Sequence, residues 1–572
     1  MSKRIISTVL VVFMLTAVFA GCGNSLNSGE TQAAGQSTSQ ATEAVTEAEN
    51  ADPYGKYEQT VTFTLGRADI ANNQLPEGDT LENNAFTRYI KDKLNVEIKH
   101  AWVAQGDAYA QKVALSIASN DIPDVMFINQ LSTLNSLVES DIIEDLTGVY
   151  EQYGSPLLKE YYASAGTNAQ GVLKALETPT FKGSLMALPD LNTQANAITQ
   201  LWIRQDWMDK LQLQAPKSID DIVLIAKAFI ERDPDGNNKN DTVGLTGSAD
   251  LLGVNMHHVF NSIFTAYHAY PRQWLKDSAG NTVYGSILPE VKTALAKLNE
   301  MYSAGVIDKE FATRKQDDTN ALIASGKAGM MFGPWWSPWW PLTDTVKNDS
   351  KAEWSAYMAP LDTEGKFIST MQPINNSFVV VKKGYSNPEA VVKVLNTQQR
   401  VLVWKDPDVT LDKQLYPKDL GYTVDWGNWP FTLSIEYIDA VEKRAKLIKD
   451  VLDGNSSPDS LDQAARGWYD LTVQEKADPK KDLNAWSHSV VVLSGARSMA
   501  FTDITKVYSE FYGTTETMET KKATLDKLEN ETFLKIILGS APIEEFDKFV
   551  TQWKQLGGDE ITKEVDNYVK SK

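Results

Sequence analysis

The sequence predicts an α/β protein, and three observations carry that expectation: strands alternating with helices, apolar periods that switch between 2 and 3.6, and a body large enough for two lobes. Val61, Phe63 and Leu65 alternate with Thr60, Thr62 and Thr64, the period of a half-buried strand. A helix follows with Phe86, Tyr89, Ile90 and Leu94 on one face. Val96 and Ile98 open a second strand, Tyr109 to Ser119 form a second helix, and Val125-Met126-Phe127-Ile128 is a buried third strand. That order means an α/β layer with a parallel sheet. Ligands in such sheets bind beyond the carboxyl ends of strands. Of the polar residues flanking the third strand, Asp124 and Asn129, only Asn129 stands at that end.

The ends of the chain give an address. Lys3 and Arg4 precede an apolar run, Ile5 to Phe19, too short to span a bilayer comfortably, and Ala20-Gly21 then leads to Cys22. This is a secretory leader over residues 1–22. Cys22 is the single cysteine, so no intramolecular disulfide can form and the core alone holds the fold. Residues 23–53 are Ser, Thr, Gln, Ala, Glu and Gly with little to bury, which predicts a disordered tether. A flexible chain of that length reaches about 30 Å. The net charge of −20 excludes nucleic acid as a partner, because phosphate binding needs clustered Lys and Arg.

The stretch from Leu201 to Leu245 is dense in information. Ser218 and Asp221 form a capping box, and Ile222, Ile225, Ala226 and Phe229 line one face of the helix that follows. Beyond it Asp233, Asp235, Asn237 and Asp241 fall at positions 1, 3, 5 and 9 of a calcium loop, with the Lys239 carbonyl at position 7. The match is partial: Asn238 stands where the EF-hand has Gly, and Gly244 where it has a bidentate Glu, leaving Thr242 or water to substitute. The alternative is an Asp/Asn/Gly-rich turn whose side chains bond their own backbone.

Further on, Phe181 to Pro189 reads as a Gly-turned extended segment, and a helix runs from Asn299 to a stop at Gly305. Ala328 to Phe332 is a short strand, broken by Gly333-Pro334, and Trp335, Trp336, Trp339 and Trp340 then crowd one loop. Loops lie on the surface, and flat aromatic faces suit the C–H faces of sugars. One or two of the four are expected to touch ligand, the rest packing beneath. Phe378 to Val381 is another strand, and Asn387 caps a helix with Pro388 at its first position. An aromatic loop covers Tyr416 to Trp429, and helices return at Ile435 to Leu452, near Asp462 to Thr472, and at Phe546 to Leu556.

These segments, in this order, resemble a family. Cys22 after Ala-Gly looks like a bacterial lipobox, with Phe19 where Leu is usual. LSIASNDIPDVMF, FKGSLMALP, LWIRQDW, the calcium-like loop, GKAGMMFGPWW, SNPEAVVKVLN and the terminal FDKFVTQWKQLGGDEITKEVD complete the series. The chain resembles extracellular solute-binding lipoproteins of carbohydrate ABC importers, near the large Gram-positive oligosaccharide binders related to alginate-binding proteins. The resemblance implies a two-lobe periplasmic-binding-protein-like fold with crossover hinge strands and a central cleft, closing by hinge bending. It implies an N-terminal lobe over residues 54–186 and 376–452, and a C-terminal lobe over 187–375 and 453–572. Ligand contacts are implied at Trp335 and Trp336, and also at Trp339, Trp202, Arg204 and Trp468, with Asn129 and Asn376 from the first lobe. Structural calcium is implied on Asp233, Asp235, Asn237, Lys239, Asp241 and Thr242. Cys22 would carry the lipid that anchors a monomer to the outer face of the cell membrane, beside the permease subunits it serves.

Two other function classes remain open on the sequence. A secreted glycosidase needs two carboxylates flanking the bond, and 75 acidic residues do not exclude one. A surface glycan sensor would use the same scaffold. No Ser/His/Asp or metal-hydrolase spacing appears, and adjacent His257 and His258 point different ways on any helix, which favours a packed or solvated role over a metal pair.

Overall fold

Strand β1 (Val61–Ala68) buries Phe63 and Leu65, as its alternation requires. Helix α1 (Ala85–Leu94) lays Phe86, Tyr89, Ile90 and Leu94 inward and leads to β2 (Val96–Ala104), helix α2 (Gly106–Ala118) and β3 (Val125–Ile128). This computed structural model describes residues 51–69, 75–168, 171–409, 413, 415 and 428–571. The leader, Cys22, nearly all of the tether and most of the 416–429 loop lie outside the described residues.

β1 pairs in parallel with β2 on one side and β3 on the other. The sheet is completed by β4 (Leu188–Pro189) and a later strand, Phe378–Val381, which runs antiparallel to both β3 and β4. All four residues of β3 are buried because both faces of the sheet are covered. Val125 and Phe127 join Phe63, Leu65, Val379 and Val381 on one face. Met126 and Ile128 join Tyr109, Val113 and Leu134 on the other.

A second sheet is built from β5 (Gln200–Arg204), β6 (Val243–Leu245), β7 (Ala328–Gly333) and β8 (Trp354–Tyr357), in the order β8-β5-β7-β6. Its core runs from Leu201 to Val565 and includes Ile222, Ile225 and Phe229 of helix α3 (Ile219–Glu231). Gly329 in β7 has no room for a side chain: a Cβ there would lie 2.2 Å from the Phe229 ring. The fold is thus α/β with two sheets, each with its own core, as expected, but both sheets are mixed where the sequence predicts a parallel sheet, because strands return antiparallel from the other half of the chain.

The chain passes between the two sheets three times. The first passage links β4 to β5, and the second links β9 (Phe367–Thr370) to β10 (Phe378–Val381). The third runs from Ile435 to helix α4 (Ala440–Leu452). The passages are bonded side by side: Asp190 N–H donates to the Ser377 carbonyl at 2.9 Å, Asn192 N–H to Ile374 at 2.8 Å, and Leu191 N–H to Ser434 at 2.8 Å. The 189–195 segment therefore lies between the other two. One difference from the sequence reading follows. The helix read from Ile435 begins at Ala440, because Ile435 is held against Leu191 as extended chain. In addition, Val441 and Ala445 of α4 pack with Trp335, Val491 and Ala496, away from the first sheet.

Candidate functional site

A cavity of about 300 Å³ opens where the two halves meet, lined from one side by Val403 and Trp404 and from the other by Arg444, Trp468 and His488. Trp404 follows the helix Pro388–Leu402 in a left-handed conformation, φ 57°, which turns the chain off the helix axis. Trp468 projects from the helix Gln463–Ala477, whose N-cap Asp462 accepts from Ala465 N–H at 2.8 Å. Its ring is half-buried, with the Arg444 guanidinium 4.7 Å over it. Arg444 Nη2 also donates to Glu436 Oε1 at 2.6 Å, on the third passage. His488 packs its ring 6.4 Å from Trp468, and burial lowers its pKa, so it stays neutral. Trp404, Glu436 and Arg444 were not foreseen: they meet only through the fold, and no local spacing marks them.

Two of the four crowded tryptophans meet at this cavity's edge. Trp339 sits 5.8 Å from Trp468 and 5.3 Å from His488, half-buried. Trp335 lies 5.9 Å from Trp468 but is only 7% exposed and donates from Nε1 to Asn196 at 3.0 Å. Trp336 donates to Asn255 at 2.6 Å and meets the His257 ring edge-on, 4.8 Å away. Trp340 is the exposed one, at 40%. The segment is a kinked turn over Pro338–Leu342, with Trp340 itself extended at φ −169° and ψ 133°. His257 and His258 are both buried, and burial lowers their pKa values to about 3 and about 4. They pack, His258 bridging Thr246 at 2.8 Å and Asn320 at 2.9 Å.

Trp202 and Arg204 do not reach solvent. Trp202 is fully buried and donates to the Pro334 carbonyl at 3.0 Å, which fixes the start of the tryptophan segment. Arg204, 2% exposed, forks onto both oxygens of Asp206 and onto Asp349, over the Trp207 ring. Trp202 supports the tryptophan segment from beneath, and both side chains are buried away from solvent. Asn129 and Asn376 are exposed, at the carboxyl end of β3 and at the start of β10 respectively. Asn376 N–H and Ser377 N–H both donate to Asp190 Oδ1, 2.9 and 3.2 Å away, tying the first passage to the second. Burial raises the Asp190 pKa to about 7. A second cavity of about 270 Å³ lies between Leu131 and Asn135, just beyond β3, and the 511–516 segment with Tyr568. Tyr512 Oη donates to the Met371 carbonyl, 3.1 Å away on the second passage. The two cavities thus flank the hinge.

Among the described residues no group of three or more His, Cys, Asp or Glu is gathered tightly enough to hold a metal. The acidic loop nevertheless converges. Asn237 Nδ2 donates to Asp235 at 2.7 Å and to Asp241 at 2.9 Å, placing one amide where a cation would sit. Asp233 and Asp235 hydrogen-bond carboxyl to carboxyl, which lowers the pKa of the first; burial and that contact raise the second. Lys239 N–H donates to Asn237 Oδ1 at 2.7 Å, and Lys327 pairs with Asp241 at 3.1 Å. Thr242 Oγ1 is buried without a hydrogen-bond partner. A hard cation suits this set: it would relieve the shared proton and the idle hydroxyl.

Two lobes, three hinge passages and a cavity between them define a hinged binding protein. Residues 72–398 match the family described as bacterial extracellular solute-binding protein, and the chain belongs to it. It is a binding protein and not an enzyme. Over 491 residues it is 23% identical to Lipoprotein LipO of Bacillus subtilis, covering 83% of this chain and 86% of the relative. In structure it is similar to alginate-binding protein AlgQ2 without calcium ion, with TM-score 0.58 and 14% identity, covering 91% of this chain and 100% of that one. It is also similar to the FusA EF-hand mutant of S. pneumoniae in complex with fructo-nystose, with TM-score 0.56 and 15% identity, covering 89% and 99%.

Proposed function

We propose that the protein captures an oligosaccharide between its lobes and passes it, unaltered, to ABC permease subunits in the membrane. The observation that carries this is the cavity shared by both lobes. The half-buried face of Trp468 offers apolar contact there, and the Glu436–Arg444 pair offers acceptors and donors to hydroxyls. Closure is favoured because such a ligand binds the closed state more tightly than the open one. The first lobe would run to about 189 and return over 376–435, with α4 in the second lobe because its core contacts are there. Trp468, Trp339 and Trp404 are the proposed aromatic contacts, with Asn129 and Asn376 as proposed polar contacts from the first lobe and Trp335 and Trp336 behind.

The relatives support this reading. AlgQ2 is named as alginate-binding, and FusA is described with fructo-nystose. The relative named a lipoprotein supports lipidation of Cys22, holding a monomer at the outer face of the membrane. Calcium would be held by Asp233, Asp235, Asn237 and Asp241 with the Lys239 carbonyl, and Thr242 would complete the shell directly or through water. The ion would neutralise the acidic loop and brace the end of α3, away from the cavity.

A thermal-shift screen of plant and bacterial oligosaccharides tests the reading. One glycan should raise Tm by mass action, with roughly micromolar affinity, about −8 kcal/mol, and chromatography should return it intact. A screen without a shift, or a shortened glycan, would contradict the proposal.

A further inference from the structure

We infer that the glycan is uncharged, because the two cavities beside the hinge are built against a polyuronide. The inference rests on the oligosaccharide reading and narrows it. A uronate carboxylate removed from water needs a cation, best an Arg fork. In the Trp468 cavity the guanidinium is already taken: Arg444 donates to Glu436 at 2.6 Å and stacks on Trp468 at 4.7 Å. The pair is screened from solvent, with side-chain exposures of 13% and 29%, so Glu436 would repel an incoming carboxylate at short range. His488 in the same wall supplies no charge, since burial keeps it neutral.

Two lysines adjacent in sequence to this wall, Lys443 and Lys405, are held over tyrosine rings. Lys443 lies 3.8 Å over the Tyr437 ring and 3.5 Å from Asp439, and Lys405 lies over Tyr161 and Tyr437. The second cavity is lined by Glu516 and Glu564, with no Lys or Arg among its described lining residues. The net charge of −20 adds a repulsive field at long range. Sugar hydroxyls need none of this cancelled. A carboxylate and a guanidinium that neutralise each other still offer acceptors and donors in one plane, beside an aromatic face.

Calorimetry on the folded chain, with neutral oligosaccharides and oligogalacturonates of matched length, at low and high salt, tests the inference. The best neutral glycan should bind with affinity nearly independent of salt, and oligogalacturonate at least about tenfold more weakly. Glu436→Gln releases Arg444 and should narrow that gap by raising uronate affinity. Oligogalacturonate binding as tightly as the neutral ligands, or an affinity that falls steeply with salt, would overturn the charge assignment while leaving the oligosaccharide reading intact. Binding of neither class would overturn both.

Discussion

At the scale of single residues, the tryptophans divide by what lies under them. Trp335 is a core residue with a bonded indole, so Trp335→Ala should cost about 3–5 kcal/mol in urea denaturation. Unchanged stability would show that the ring is not packed as described. Trp468 is half-buried on a capped helix, so Trp468→Ala should act on binding far more than on folding. The sequence marks the Trp335–Trp340 cluster as unusual but not which ring faces outward. That depends on Asn196, Asn255 and His257, which lie at distant positions in the chain. Asp190 gives a pH test. Its pKa is about 7 in the fold against 3.8 ordinarily, so between those values the folded chain keeps a proton the unfolded chain has released. Stability should fall as pH rises through that window, by up to about 4 kcal/mol. Asp190→Asn keeps an acceptor for Asn376 and Ser377 and should flatten the dependence in urea melts; a slope unchanged in the variant would place the titration elsewhere.

At the scale of elements, signals that are local in chemistry proved legible. The Ser218–Asp221 capping box forms in both directions, and Ser218→Ala should destabilise by about 1 kcal/mol on thermal melting. Asn387 misleads: it precedes Pro388 at a helix start, but its side chain accepts from Ser386 Oγ and makes no cap bond. The apolar pattern starts α4 five residues early, because the pairing of Ile435 with Leu191 is not local. The acidic loop carries a separate prediction. Chelation should lower Tm and calcium restore it, with Asp235→Asn blunting both responses. The raised pKa of Asp235 means that protons compete with the ion, so calcium affinity should weaken as pH falls through that pKa. A Tm indifferent to chelator would leave the loop as a self-bonded turn.

At the scale of the whole molecule, the strands of the first sheet could be read from periodicity, because VMFI and its neighbours are buried on both faces, but not the antiparallel pairing that completes it. The hinge could not. Its three passages are hydrogen-bonded by residues as far apart in the chain as Leu191 and Ser434, and only the family resemblance anticipates them. The cavity they create joins Trp404 to Trp468, a pair that no sequence window contains. The most direct test of this account is the glycan affinity of Trp468→Ala beside the native chain, by calorimetry, with Tm measured on both. The account predicts a loss of at least about tenfold at nearly unchanged Tm. Equal affinity in the two proteins would contradict it.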